Sequence, residues 1–410
     1  MNRSVISTEE IRAHFPALER THLGSPVGYF DGPGGTQVPT RVVRSVSEYL
    51  LSHNANTEWR YPTSEETDQL LQEARQVFAD FLGCCKEEVV FGNNMTTLTF
   101  HLSRTLGRLW GPGDEIIITQ LDHQANQAPW QALARECGIT VHTVPMLPES
   151  GKLDWDILNE LFSERTRLLA IGGASNSLGT VNDLKKAANL CRSFGAYLFV
   201  DAVHMASHIL LDVVEIDCDF LACSAYKFYG PHVGILFVRK ELEEFLSPPR
   251  LPCAKDYLPE SLETGTMNHE GIVGASVAIE FLADLAGDSG SRRERLASTF
   301  EVLHERNHRL VSFLWNGLRA QKHVQVYGPG PDQLRTPTVG FTIEGMHSAE
   351  VAERLANDSA LFLSHGDFYA SGVTEALGIE AQGLVRAGCA CYTNQDEVER
   401  LVSSIADLCN

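Results

Sequence analysis

The sequence predicts an α/β protein: a large domain built on a mainly parallel β-sheet, followed by a smaller α+β domain. Three observations carry this. The chain has 410 residues, more than one ordinary core holds. Short β-rich runs alternate with helical stretches over most of that length, the rhythm of βα units. Beyond about Ile279 the alternation gives way to long helices with few strands between them. The expected boundaries are residues 26–280 for the large domain, with 1–25 and 281–410 forming the small one.

The elements follow in order. Ser7-Thr8-Glu9-Glu10 has the form of a capping box and opens a short helix. Glu88–Phe91 reads as a strand. Thr96–Trp110 has helical spacing, with Leu98, Leu102, Leu106 and Leu109 on one face. After the turn Gly111-Pro112-Gly113-Asp114, Ile116–Ile118 is a buried strand. Pro129–Cys137 is a helix stopped by Gly138, Val141–Val144 a strand, and Leu153–Phe162 a helix. Strand Arg167–Ile171, a helix from Asp183 to Phe194 that stops at Gly195, and strand Tyr197–Val200 come next. Asp219–Cys223 and Gly234–Val238 complete the large sheet. The small domain is read as helix Arg295–Leu318, strands Val324–Tyr327 and Val339–Ile343, and helices Ser348–Asn357 and Gln395–Leu408.

Composition excludes several classes. Apolar residues make up 43%, enough for a core, and the formal net charge is −20. A surface of that sign repels phosphate backbones and anionic lipid, so neither nucleic acid nor a membrane is an expected partner. No apolar run approaches the roughly 20 residues that span a bilayer. Met1-Asn2-Arg3-Ser4 lacks the apolar stretch of an export signal, so the expected location is cytoplasmic. Ten cysteines in such a chain should stay reduced. Cys389-x-Cys391 and His204-x-x-x-His208 are weak metal spacings, and no metal site is expected.

Ligands of parallel sheets bind outside the carboxyl ends of the strands. The polar residues that follow strands here are Asn93, His123, Asn176, Asp201 and Ser224–Lys227, and they should converge on one crevice. Within Ser224-Ala225-Tyr226-Lys227-Phe228-Tyr229-Gly230-Pro231, Lys227 follows a buried strand and is hemmed by aromatics. Desolvation there would lower its pKa and free the amine to form an imine. Taken alone, Lys227 reads equally well as a lysine snorkelling to the surface. The other groups weigh on the imine side. Pyridoxal 5′-phosphate needs an imine lysine, an acid on its ring nitrogen, a phosphate cup and a lid on the ring face. Asp201 can supply the acid, the turn Asn93-Asn94-Met95-Thr96-Thr97 at a helix start can supply the cup, and His123 can lie on the ring.

Across nearly its whole length the sequence resembles the class V aminotransferases, fold type I pyridoxal phosphate enzymes that include the cysteine desulfurases, and it is most similar to the cysteine desulfurase-like branch. The motifs that carry the resemblance begin with Tyr29-Phe30-Asp31-Gly32-Pro33-Gly34-Gly35. They continue through Phe91-Gly92-Asn93-Asn94-Met95-Thr96-Thr97 and Asp122-His123-Gln124-Ala125-Asn126. Ser175-Asn176-Ser177-Leu178-Gly179-Thr180, Val200-Asp201-Ala202-Val203-His204, the Lys227 segment and Glu263-Thr264-Gly265-Thr266 complete the set.

The resemblance implies roles. Lys227 is the Schiff-base lysine, Asp201 the ring-nitrogen partner and His123 the stacked histidine, and these three form the catalytic set. Met95, Thr96 and Ser224 surround the phosphate, Tyr226 precedes the lysine, and Asn176 lies beside cofactor and substrate. His204 stands where relatives often carry a glutamine near the phenolic oxygen. Thr266 reaches the phosphate of a neighbouring subunit, which implies a homodimer. Arg386 holds the substrate carboxylate, a task suited to a bidentate guanidinium.

Departures from the family matter as much. The segment matching the sulfur-accepting loop reads Ser364-His365-Gly366-Asp367-Phe368-Tyr369-Ala370, with Tyr369 in place of the acceptor cysteine. Tyr226 replaces the histidine that desulfurases commonly carry. Cys389 and Cys391 are read as core, on a strand that leads into the last helix. The expected activity is therefore a lyase on a cysteine-derived amino acid that cleaves C–S by β-elimination, with His365 and Tyr369 as further substrate-facing residues. An aminotransferase, an epimerase and a decarboxylative aldolase are the other enzymatic readings, and a non-catalytic cofactor-binding protein is the remaining one.

Overall fold

The structure, a computed structural model, describes residues 5–409; the expected lack of an export signal at Met1–Ser4 falls outside them. Seven strands form the large sheet: β1 (Val89–Gly92), β2 (Glu115–Thr119), β3 (Thr140–Val144), β4 (Thr166–Gly172), β5 (Tyr197–Asp201), β6 (Phe220–Ser224) and β7 (Gly234–Val238). Their spatial order is β1-β7-β6-β5-β4-β2-β3. All neighbours are parallel except β7, which runs antiparallel to β6 and β1. This is the mainly parallel α/β sheet expected from the sequence.

Alternation along the strands fills both faces of the sheet. Ile117, Leu169 and Ile171 point into one apolar cluster, Ile116, Ile118, Leu168 and Ala170 into another. A second sheet holds β8 (Val324–Tyr327), β9 (Thr338–Ile343), β10 (Ser364–Gly366) and β11 (Leu384–Gly388) in the order β8-β9-β11-β10, all antiparallel. Its own apolar cluster includes Val339, Phe341, Val385 and Leu314.

Helices follow the capping chemistry of their ends. α1 (Thr8–Arg12) starts at Ser7, whose side chain accepts from the Glu10 amide in a capping box. α2 (Met95–Leu106) is capped by Asn94, which accepts from the Thr97 amide at 2.9 Å. The sequence pattern carries this helix on to Trp110, but it ends at Leu106. Leu98, Leu102 and Leu106 are buried, whereas Leu109 is 46% exposed. A side chain at Gly107, the residue that caps this helix, would meet Leu133 Cδ1 at 2.2 Å, so glycine there is what lets the next helix, α3 (Ala128–Cys137), cross so closely. α3 and α4 (Leu184–Phe194) both stop at left-handed glycines, Gly138 and Gly195. Longer helices, α5 (His269–Asp284) and α6 (Arg292–Arg319), lead into the second sheet. α7 (Ser348–Ser359) and α8 (Gln395–Leu408) pack on it. No helix among the described residues is long and apolar enough to cross a membrane.

Candidate active site

A cavity of about 560 Å³ opens at the carboxyl ends of the large sheet. Asn93, His123, Asn176, Asp201, Ser224, Tyr226 and Lys227 all line it, so the polar residues that follow the strands do converge. Met95, Thr96 and His204 line it too.

At one end stands the start of α2. The Met95 amide donates to Ser224 Oγ at 3.0 Å, which ties the helix to the last residue of β6. The amide and hydroxyl of Thr96 make no hydrogen bond among the described residues, so this helix terminus presents free donors to the cavity. The approach is close because Gly234 has no side chain: a Cβ there would lie 2.5–2.7 Å from the Asn94 backbone.

Lys227 ends a single 3-10 turn after β6. Its Nζ donates to the carbonyls of Pro33 and, at 3.1 Å, of Gly34. Burial lowers its pKa to about 7; Arg386 adds to the shift and Asp201 opposes it. Asp201 is buried at the end of β5, accepts from the Val203 amide at 2.9 Å, and is raised to about 6 by desolvation. Asp122, also buried in this wall, is raised to about 7 by burial and by Asp201.

His123 follows β2, and its Nδ1 accepts from the Ala125 amide at 2.9 Å. That bond places the proton of the neutral ring on Nε2. Burial, Lys227 and Arg386 lower its pKa to about 4, so the ring is a neutral Nε2–H donor over the working range. His204 is buried and held well below the ordinary histidine range by burial. Its Nε2 bonds the hydroxyls of Thr336 and Thr338 at 3.0 and 3.1 Å, which ties it to the start of β9.

Arg386 lies on β11 and is 3% exposed. Nε donates to Ser364 Oγ at 3.0 Å and Nη1 to the Asn176 carbonyl at 2.9 Å. It makes no salt bridge among the described residues, and burial lowers its pKa to about 9, with Asp31 the nearest opposing charge. Tyr369 is 68% exposed, with its ring 5.5 Å from His123. His365 does not join this group. It is exposed on the edge strand β10, on the face opposite Ser364, which alone turns to Arg386. Thr266 is likewise exposed and does not line the cavity of its own chain.

Sequence reasoning missed several residues of this wall. Asp122 stood in a quoted motif but was given no role, although an acid in the loop that follows a buried strand is a signal. His232 lines the cavity and stacks on Tyr226, with centroids 4.8 Å apart. Phe368 lies over Arg386. Cys389 and Cys391 are buried as expected, but they follow β11 rather than lie on a strand, and burial pushes both thiols up to about 12. Among the described residues no cysteine lines the cavity.

The class-V aminotransferase profile matches residues 28–401. The chain is 31% identical to the aminotransferase-like protein FGM3 of Gibberella zeae over 99% of both chains. It is 29% identical to a cysteine desulfurase of Dickeya dadantii over 97% of this chain and 95% of that one. Its fold superposes on an apo cysteine desulfurase from Thermococcus onnurineus with a TM-score of 0.88 and 27% identity, covering 99% of each. A cysteine desulfurase of Escherichia coli gives 0.85 at 26%, covering 98% of each. With a sheet of this topology, a lysine and an aspartate facing one cavity, and a match along almost the whole chain, the protein belongs to the class-V aminotransferase family of pyridoxal phosphate-dependent enzymes.

Proposed function

We propose that the chain is a lyase that breaks the C–S bond of a cysteine-derived amino acid by β-elimination and releases the sulfur as a free thiol. The observation that carries this reading is the cavity wall itself. Among the described residues it offers an amine and a carboxylate but no thiol to receive sulfur; the buried Arg386 guanidinium lies behind Asn176 of this wall, and Tyr369 occupies the loop position beside His123.

The residues fit pyridoxal phosphate. Lys227 presents a desolvated amine, Asp201 a buried carboxylate, and the start of α2 free donors for a phosphate. Asn176 Oδ1 is buried without a partner. Met95, Ser224, Tyr226 and His204 complete the enclosure. When bound, the cofactor supplies an electron sink that stabilises negative charge at Cα of an amino acid.

The rest falls to the protein. Arg386 is buried without a salt bridge among the described residues, with only Asp31 as an opposing charge, and an incoming α-carboxylate would pair with it. Lys227, neutral above about pH 7, takes the Cα proton and holds it as an ammonium against the Pro33 and Gly34 carbonyls. His123 is not the base, because its accepting nitrogen is occupied by Ala125. The Tyr369 hydroxyl is the donor for the departing sulfur. With water, the balanced products are a thiol, pyruvate and ammonia.

A homodimer is part of this reading. Thr266 and the apolar side chains Leu251, Tyr257 and Trp59 are exposed in the single chain, as a surface covered by a second copy would be. Thr266 would then complete the neighbour's phosphate site.

Incubation of the loaded enzyme with L-cysteine and S-substituted cysteines tests the proposal. Equal yields of thiol or sulfide, pyruvate and ammonia are expected. Only racemised amino acid, or a keto acid formed solely when a second keto acid is present, would overturn it.

A further inference from the structure

Phe368 stands over the guanidinium of Arg386, with Cζ 4.0 Å from the ring centroid. The edges of that guanidinium are already partly taken by Ser364 Oγ and the Asn176 carbonyl. Of its five N–H donors two are engaged, and the three that remain are on Nη1 and Nη2. Nη2 itself makes no hydrogen bond among the described residues. The aromatic ring closes one face.

Asn176 binds both partners. Its carbonyl accepts from Arg386, and its Nδ2 donates to the Phe368 carbonyl at 3.1 Å. Phe368 and Tyr369 both have left-handed backbone, with φ of +58° and +56°. Side-chain-bearing residues rarely adopt this region, and two in succession keep it only where neighbours impose it. Here the Gln124 amide donates to the Tyr369 carbonyl at 2.7 Å, and the Tyr369 amide to Asp367 Oδ1 at 3.0 Å. The Ala370 amide donates to the Asp367 carbonyl at 2.9 Å. The shape of this loop thus delivers one aromatic ring to one guanidinium face.

We propose that Phe368 is the positioning residue for the substrate carboxylate: it locks the Arg386 guanidinium so that only its Nη edge is open, and it keeps water from the face. The inference rests on the reading of Arg386 as the carboxylate clamp. It assigns Phe368 to amino-acid affinity and not to bond breaking, because the ring touches the guanidinium rather than a reacting atom.

The test uses loaded enzyme titrated with L-alanine, which has no leaving group, and with L-alaninol, which has no carboxylate. Binding is read from the cofactor's absorbance. Phe368→Leu keeps an apolar side chain but loses the π face, and it is expected to weaken L-alanine about tenfold, the scale of a desolvated cation–π contact. L-Alaninol should bind as it does to the unaltered chain, and Phe368→Tyr should restore L-alanine binding. Hydrogen exchange at the Gln124, Tyr369 and Ala370 amides should be unchanged in Phe368→Leu, which shows that the loop is intact. Equal weakening of both probes, or of neither, would overturn the proposal. Arg386→Lys separates the two readings: if it binds L-alanine normally, the clamp itself is wrong and this inference goes with it. If it binds L-alanine weakly while Phe368→Leu does not, only the role of Phe368 fails.

Discussion

Asp122 and Asp201 are joined through one residue: the Gly172 amide donates to Asp122 Oδ1 at 2.9 Å, and Gly172 is the strand partner of Asp201. Two buried carboxyl groups therefore back the same wall, and each raises the cost of ionising its neighbour.

This pair makes a pH prediction. Both groups have pKa values raised in the folded chain, Asp122 to about 7 and Asp201 to about 6. In the unfolded chain they would ionise near pH 4 (about 3.9 for Asp). Between those limits the folded state binds more protons, so stability is highest below the unfolded pKa and falls as pH rises towards about 7. Thermal melts of the cofactor-free chain should show this decline, and Asp122→Asn should flatten it. An Asp122→Asn variant with the same slope as the parent would contradict the assignment.

Lys227 sets a second pH dependence. Only the neutral amine can attach covalently to the cofactor aldehyde. With its pKa lowered to about 7, the rate of attachment to the apoenzyme should climb to about pH 7 and then level off. An unperturbed lysine would keep climbing towards about pH 10. Stopped-flow absorbance measures this directly, and Lys227→Ala should lose the covalent absorbance band altogether.

Arg386 sets function against stability. A buried guanidinium with no carboxylate partner is destabilising in the empty site. Arg386→Met is therefore expected to melt at or above the temperature of the parent while losing amino-acid binding. Arg386→Lys should raise KM by about 30–100-fold, because a point charge replaces a planar fork. A large drop in melting temperature for Arg386→Met would show that the residue is structural instead.

Tyr369 decides where sulfur goes. With L-cysteine as substrate, Tyr369→Phe should slow sulfide release by about 10²-fold or more with little change in KM, the scale of a lost proton donor. Tyr369→Cys places a thiol at the loop position where the tyrosine is now exposed. Its thiolate can attack the sulfur of L-cysteine directly; the Cβ–S electrons stay on carbon, so a protein persulfide, detectable by mass spectrometry, should appear together with an equal amount of alanine in place of pyruvate and ammonia.

Gly234 tests the cup at the start of α2. A methyl group there would press on the Asn94 backbone, which cannot move without displacing α2. Gly234→Ala should cost about 1–3 kcal/mol by denaturant melts. It should weaken cofactor phosphate binding more than binding of pyridoxal, which lacks the phosphate.

Much of this protein could be read along the chain because its cues are local. Short β-rich apolar runs marked the strands, glycines marked the ends of α3 and α4, and an Asn-Met-Thr turn after a strand marked an anion site. Polar residues at strand ends had to share one edge of a parallel sheet, so Asn93, His123, Asn176, Asp201 and Lys227 could be grouped without coordinates. What tertiary structure decided lies in contacts between distant segments. The need for glycine at the end of α2 was set by Leu133 of a later helix, and the tautomer of His123 by a hydrogen bond from Ala125. The Lys227 amine came to rest on carbonyls 193 and 194 residues away. The pairing of Phe368 with Arg386 depends on an edge strand, a left-handed loop and Asn176 from the loop after β4 meeting at one point. Sequence determined which chemistry is present, because residue type and strand position are local properties. Burial, proton location and which edge of a guanidinium stays free depend on everything packed around a group, and only the folded chain settles them.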